Sequence, residues 1–163
     1  ITDDDFYKSL MSFKGAARRL EYVGGNNSIA VFKDFAHSPS KLKATTDAVK
    51  KQFAGRKVIA CMELHTFSSL NQHFLEQYKD SMNLSDEACV YFNPRTIEHK
   101  KLRPISVEQV KAAFNRKDLK VYTNSSLLMQ NIINTKTENS VVLMMSSGNF
   151  DGVDLKQIVG FQE

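Results

Sequence analysis

Asp34 and His37 lie in the run Asp34-Phe35-Ala36-His37-Ser38-Pro39, where an acid, an imidazole and a helix start fall together. A strand is expected over 28–33 and a helix over 41–53. Asp34 is then the first residue past the strand, and His37 sits in the turn. Ser38 is a good N-cap and Pro39 suits the first helical position. The free N–H groups of such a start attract anions, phosphate above all. An acid that can accept from ribose hydroxyls, with an imidazole beside a phosphate site, suggests nucleotide handling. A purely structural turn with a capped helix would carry the same residues, and the run alone does not separate the two. Three more polar clusters follow apolar, strand-like runs: Glu63, His65, Thr66 and Ser68; Asn93, Pro94, Arg95 and Thr96; and Ser146, Ser147, Gly148 and Asn149.

The elements that must position these clusters follow from periodicity. Residues 3–11 read as a short helix or the tail of an interdomain connector. Strands over 18–23 and 28–33 are joined by Gly24-Gly25-Asn26-Asn27, whose tolerance of positive φ predicts a hairpin. Helix and strand then alternate. Leu42, Val49 and Phe53 mark one helix face, and a strand follows over 57–62. Leu70, Phe74, Leu75, Tyr78 and Met82 have helical spacing. A strand over 87–91 precedes a helix marked by Val107, Val110 and Phe114. A strand over 119–123 precedes another helix, with Leu127, Leu128, Ile132 and Ile133 inward. A strand over 141–145 closes the sheet, and 153–159 supplies the last helix. This alternation predicts an α/β, Rossmann-like three-layer αβα fold. Its sheet would be mostly parallel, with an antiparallel edge hairpin. Ligands of such sheets gather beyond the carboxyl ends of the strands, which is where all four polar clusters fall.

Composition adds bounds. The chain has 163 residues, 42% of them hydrophobic, enough for one sizeable core. A formal charge of +4 and a pI near 9.0 are mildly basic, with the cations spread along the chain, so no nucleic-acid surface is expected. No run is long enough to span a bilayer and no secretory signal is visible. Cys61 and Cys89 fall in expected buried strands without metal-ligand spacing, so they read as core thiols of a reduced, cytoplasmic protein and no metal site is assigned. Ile1 is not an initiator methionine, so the chain reads as a domain of a longer polypeptide. No internal repeat or low-complexity segment occurs.

Upstream of Asp34 stands Ser12-Phe13-Lys14-Gly15-Ala16-Ala17-Arg18-Arg19-Leu20-Glu21. An aromatic, a glycine, an Arg-Arg pair and an acid, followed by a strand ending in Asp-aromatic-Ala-His-x-Pro, resemble the carboxy-terminal domain of the muramyl peptide (Mur) ligases. At the far end, Met145-Ser146-Ser147-Gly148-Asn149-Phe150-Asp151-Gly152 resembles the Met-Ser-Asn-Gly-x-Phe-x-Gly pattern of the branch that joins murein tripeptide to UDP-N-acetylmuramate in peptidoglycan recycling. The resemblance runs from about residue 13 to 158. It implies a connector over 1–12 and a Mur ligase carboxy-terminal domain over 13–163.

The resemblance also implies roles. Arg19 matches the arginine that reaches the nucleotide phosphates, Asp34 the acid near the ribose, and His37 the histidine of that motif. Asn93-Pro94-Arg95 falls where diaminopimelate-adding members carry Asp-Asn-Pro-Arg, whose arginine holds a free carboxylate, as a guanidinium fork can. Phe92 replaces the leading acid, and a plain surface arginine is the competing reading. His65, Ser147 and Asn149 fall at other peptide-contacting positions. The implied cosubstrate is ATP with Mg2+, the metal held mainly by a central domain. The implied partners are UDP-N-acetylmuramate, murein tripeptide, and amino-terminal and central domains of the same polypeptide.

The pattern is broken in places. Alanine-adding members carry His-Arg-x-Ser/Thr-Arg after the third strand, and the tripeptide branch carries Glu-Pro-Arg-Ser-Asn-Thr. This chain has Glu63-Leu64-His65-Thr66-Phe67-Ser68-Ser69. Ser38 replaces a second histidine, and His73 and His99 match no motif and read as solvent-facing. No Gly-Lys dipeptide occurs, so the phosphate-cradling loop that a ligase needs is not in this sequence. The domain is therefore expected to hold no catalytic residue and to be inactive alone. Its expected task is to present the peptide amine and close over ATP. The alternatives are a biosynthetic alanine- or diaminopimelate-adding ligase, or a non-catalytic nucleotide- or peptide-binding module.

Overall fold

The computed structural model describes residues 20–160. The expected helix over 3–11, the start of the first strand and Arg19 lie outside them. Six strands form one sheet: β1 (Glu21–Gly25), β2 (Ile29–Asp34), β3 (Lys57–Glu63), β4 (Glu87–Tyr91), β5 (Lys120–Tyr122) and β6 (Ser140–Met145). Their order is β1-β2-β6-β3-β4-β5, with β1 antiparallel to β2 and every other pairing parallel. The helices are α1 (Pro39–Gln52), α2 (Pro94–His99), α3 (Val107–Phe114) and α4 (Ser125–Thr135). The chain thus has the α/β, mostly parallel sheet with an antiparallel edge hairpin that its alternation predicts.

Period-two alternation divides the core between the sheet faces. Phe32, Val58, Ala60, Met62, Val90, Val141, Leu143 and Met145 pack with Leu42 and Val49 of α1 and with Val110 and Phe114 of α3. Val31, Ile59, Cys61, Cys89, Val142 and Met144 pack on the other face with Leu128, Met129 and Ile132 of α4. The result is three layers.

β6 does not close the sheet at an edge; it runs between β2 and β3. The reason is legible in Ser140-Val141-Val142-Leu143-Met144-Met145, all buried. After Ser140, an apolar run of this kind satisfies a strand covered on both faces. Both edges are short or irregular. β5 has three residues, and β1 carries a register shift between Tyr22 and Gly24. In that hairpin a Cβ on Gly25 would come within 2.4 Å of the Ile29 carbonyl, so only glycine fits.

The helix expected around Leu70–Met82 is instead a chain of turns with one 3-10 segment, Leu75–Tyr78. Leu70, Leu75, Tyr78 and Met82 are still buried. Local side chains satisfy this backbone and compete with helix. Asn71 Oδ1 accepts from the His73 N–H at 2.9 Å, Ser85 Oγ donates to the Met82 carbonyl at 2.8 Å, and Asp80 has a φ of 62°. Arg116 then clamps the end of the segment, donating to the Ser85 carbonyl at 3.0 Å and the Asp86 carbonyl at 3.1 Å. The last expected helix is likewise only the 3-10 turn Leu155–Ile158. In α4, Leu127 points outward at 54% exposure, and Met129 takes the inward place. His73 and His99 are exposed, as expected.

Candidate functional site

The four polar clusters do emerge from one edge of the sheet, at the carboxyl ends of β2, β6, β3 and β4 in that spatial order. At the end of β2, the Asp34 carboxylate is buried and bound to backbone. It accepts from the Leu20 N–H at 2.6 Å, the Ala36 N–H at 2.7 Å and the Thr45 hydroxyl at 3.4 Å. His37 Nδ1 donates to the Phe35 carbonyl at 2.8 Å, since a carbonyl oxygen can only accept, and this leaves Nε2 as the ring's acceptor while the imidazole is neutral. The His37 carbonyl accepts from the buried Tyr78 hydroxyl, whose pKa burial pushes up. Ser38 is the N-cap of α1 by backbone conformation, but its side chain makes no capping bond. Among the described residues, no Ser38 side-chain bond occupies the first-turn donors of this fourteen-residue helix, and Pro39 contributes none.

Between β3 and β6 the site is knotted by Glu63, which is 2% exposed. Its Oε2 accepts from the Ser146 hydroxyl and from the Phe150 N–H at 2.8 Å. Its Oε1 lies 3.7 Å from His65 Nδ1, and the imidazole is half-exposed. Ser146 Oγ also accepts from the Gly148 N–H at 2.7 Å. A Cβ on Gly148 would sit 2.9 Å from the His65 ring and 3.0 Å from Glu63 Oε2. Any larger residue there would have to push the His65 ring aside. The Ser147 hydroxyl beside it is buried with no hydrogen-bond partner among the described residues.

At the end of β4, Asn93 spends its amide on structure. Oδ1 caps α2 by accepting from the Arg95 N–H at 2.9 Å, and Nδ2 donates to Asp151 at 2.7 Å. Asp151 also accepts from the Tyr91 hydroxyl, and burial together with that carboxylate pushes the Tyr91 pKa up. Asn149 Oδ1 accepts from the Gly152 N–H at 3.2 Å. Arg95 is exposed, and its guanidinium has no partner among the described residues. Facing β1 and β2, an open cleft of about 1080 Å³ is lined by Asp34, Lys33, Lys41, Asn149 and Lys156, among others. His37 lies outside it.

A family model described as "Mur ligase, glutamate ligase domain" matches residues 18–148. The chain belongs to the Mur ligase family, as a carboxy-terminal domain. It is 42% identical over 83 residues to the UDP-N-acetylmuramate–L-alanine ligase of Caldicellulosiruptor bescii, covering 51% of this chain and 18% of that protein. With the enzyme of the same name from Sulfurihydrogenibium sp. it shares 31% identity over 147 residues, 87% of this chain and 31% of the relative. Among solved structures, the murein peptide ligase of Psychrobacter arcticus superposes with a TM-score of 0.70 at 25% identity, over 96% of this chain and 33% of that one. The chain thus spans less than a third of these curated relatives and a third of that structure.

In this Mur ligase domain, Asp34 and Asn149 line one cleft, and His65 and Ser147 lie on the adjoining β3–β6 turns. Asn93 and Arg95 stand at the start of α2, and Arg19 lies outside the described residues. Sequence reasoning did not single out Asp151, Tyr91 or Lys41, and left Glu63 among the loop residues without a role. For Glu63 a signal existed: a carboxylate ending an otherwise apolar strand needs buried donors.

Proposed function

We propose that this domain is part of an ATP-dependent, ADP-forming ligase that joins L-alanine to UDP-N-acetylmuramate in the bacterial cytoplasm. The observation that carries this reading is its 31% identity, over 87% of the chain, to a UDP-N-acetylmuramate–L-alanine ligase. Residues 13–163 form the domain and residues 1–12 connect it to the rest of the polypeptide. ATP supplies activation, turning the sugar carboxylate into an acyl group that an amine can attack. The residues of this chain bind and orient. Arg19, Asp34 and His37 are assigned to the nucleotide, as the family resemblance implies; the α1 start and, beside Asp34 in the cleft, Lys33 and Lys41 support this. His65, Arg95, Ser147 and Asn149 face the acceptor, with Asn93 acting through the cap that aims Arg95. Mg2+ is assigned mainly to a central domain of the polypeptide, as the family resemblance implies. No helix among the described residues is long and apolar enough to cross a membrane.

A second reading takes murein tripeptide as the acceptor. The likeness to the Psychrobacter arcticus murein peptide ligase and the run Met145–Gly152 favour it. Here the Arg95 guanidinium, without a partner among the described residues, would pair with the free carboxylate of the peptide. Steady-state kinetics of the native polypeptide with L-alanine, diaminopimelate and tripeptide separate the readings. A kcat/KM highest for L-alanine upholds the first, and turnover with tripeptide alone overturns it.

A further inference from the structure

We propose that Glu63 is a positioning residue that holds the His65 imidazole and the β6 turn as one unit at the acceptor side of the sheet edge. This rests on the ligase reading above. The carboxylate is 2% exposed, yet it forms no part of the hydrophobic core. One oxygen takes the Ser146 hydroxyl and the Phe150 N–H, which fixes the two ends of the turn after β6. The other faces His65 Nδ1 at 3.7 Å. A carboxylate there favours a proton on Nδ1 and leaves the Nε2 lone pair for whatever the half-exposed ring meets. Gly148 completes the unit, because any Cβ would strike the His65 ring at 2.9 Å. The Ser147 hydroxyl, in the same turn, is buried with no hydrogen-bond partner among the described residues and leaves bonding capacity unspent there. The arrangement resembles packing less than pre-organisation: an exposed polar group whose tautomer and orientation are set by a buried one.

The substitution Glu63→Gln tests this because it keeps shape and changes one proton inventory. The Phe150 N–H can only donate, so the amide oxygen must take the Oε2 place. The amide NH2 then faces His65 and favours Nδ1 as an acceptor, shifting the proton toward Nε2. Nitrogen-detected NMR of this chain at alkaline pH reads the tautomer directly. The wild type should show Nδ1–H at His65 and the folded variant Nε2–H. A wild-type ring protonated at Nε2, or a folded variant with an unchanged tautomer, overturns the proposal. Should Glu63→Gln fail to fold, Gly148→Ala gives a second reading: its Cβ displaces the ring, so the Nδ1–H preference should be lost, and its persistence overturns the proposal. In the native polypeptide, Glu63→Gln should lower kcat/KM for the acceptor roughly tenfold or more, with KM for ATP unchanged. A tautomer switch in a protein without ligase turnover would uphold the positioning and overturn the function. An unchanged tautomer in an active ligase would do the reverse.

Discussion

A carboxylate at position 34 carries two tasks that substitution can separate. Its oxygens hold the Leu20 and Ala36 N–H groups at 2.6 and 2.7 Å, which ties the approach to β1 to the turn before α1. Asp34→Ala strands those donors and should cost about 1–3 kcal/mol of stability, read as a fall in urea midpoint. An unchanged midpoint would show that the carboxylate serves only a ligand. Acid titration tests other carboxylates. Burial alone would raise the Asp86 pKa, but the Lys50 ammonium and the Val58 N–H at 2.7 Å outweigh it and hold the group below its ordinary 3.8. The Arg116 guanidinium does the same for Asp118. A lowered folded pKa contributes stability that is complete above the unfolded value and disappears as pH falls through the folded one. Urea midpoints should therefore drop as pH goes below 3.8, and Asp86→Asn should flatten that dependence. A variant as acid-sensitive as the wild type would remove Asp86 from the account.

Among the elements, β6 is a central strand of the sheet, pairing with β2 on one side and β3 on the other. Leu143 is fully buried at its middle, so Leu143→Ala should cost about 2–5 kcal/mol by urea denaturation. A cost under about 1 kcal/mol would mean the core there collapses around the gap. The elements were mostly legible in the residues. Gly24–Asn27 marked the hairpin, and alternating apolar faces marked the strands. What misled was the stretch from Leu70 to Met82, whose spacing fits a helix while Asn71, Asp80 and Ser85 settle its backbone in turns. Residues Pro94–His99 form a helix that Asn93 caps, though its short apolar content hid it. Asp34 and His37 could be found because they are local to one strand–helix turn. The Glu63 knot could not be, since Glu63 and Ser146 stand 83 residues apart and only the adjacency of β3 and β6 joins them.

For the whole molecule, the sheet brings four loops to a single edge and places a cleft of about 1080 Å³ beside them. The fold is shared by ligases with different acceptors, so it cannot choose among them; loop chemistry must. The loop after β3 keeps only Glu63, His65 and Thr66 of the resembling motifs while Leu64 and Phe67 depart from them, which is why the acceptor is the question to settle. The most direct test is mass analysis of the sugar nucleotide after incubating the native polypeptide with UDP-N-acetylmuramate, ATP, Mg2+ and L-alanine. The account predicts a product heavier by one alanine residue, formed with release of ADP. An unmodified sugar nucleotide in that mixture, with product appearing only when murein tripeptide replaces L-alanine, would contradict it.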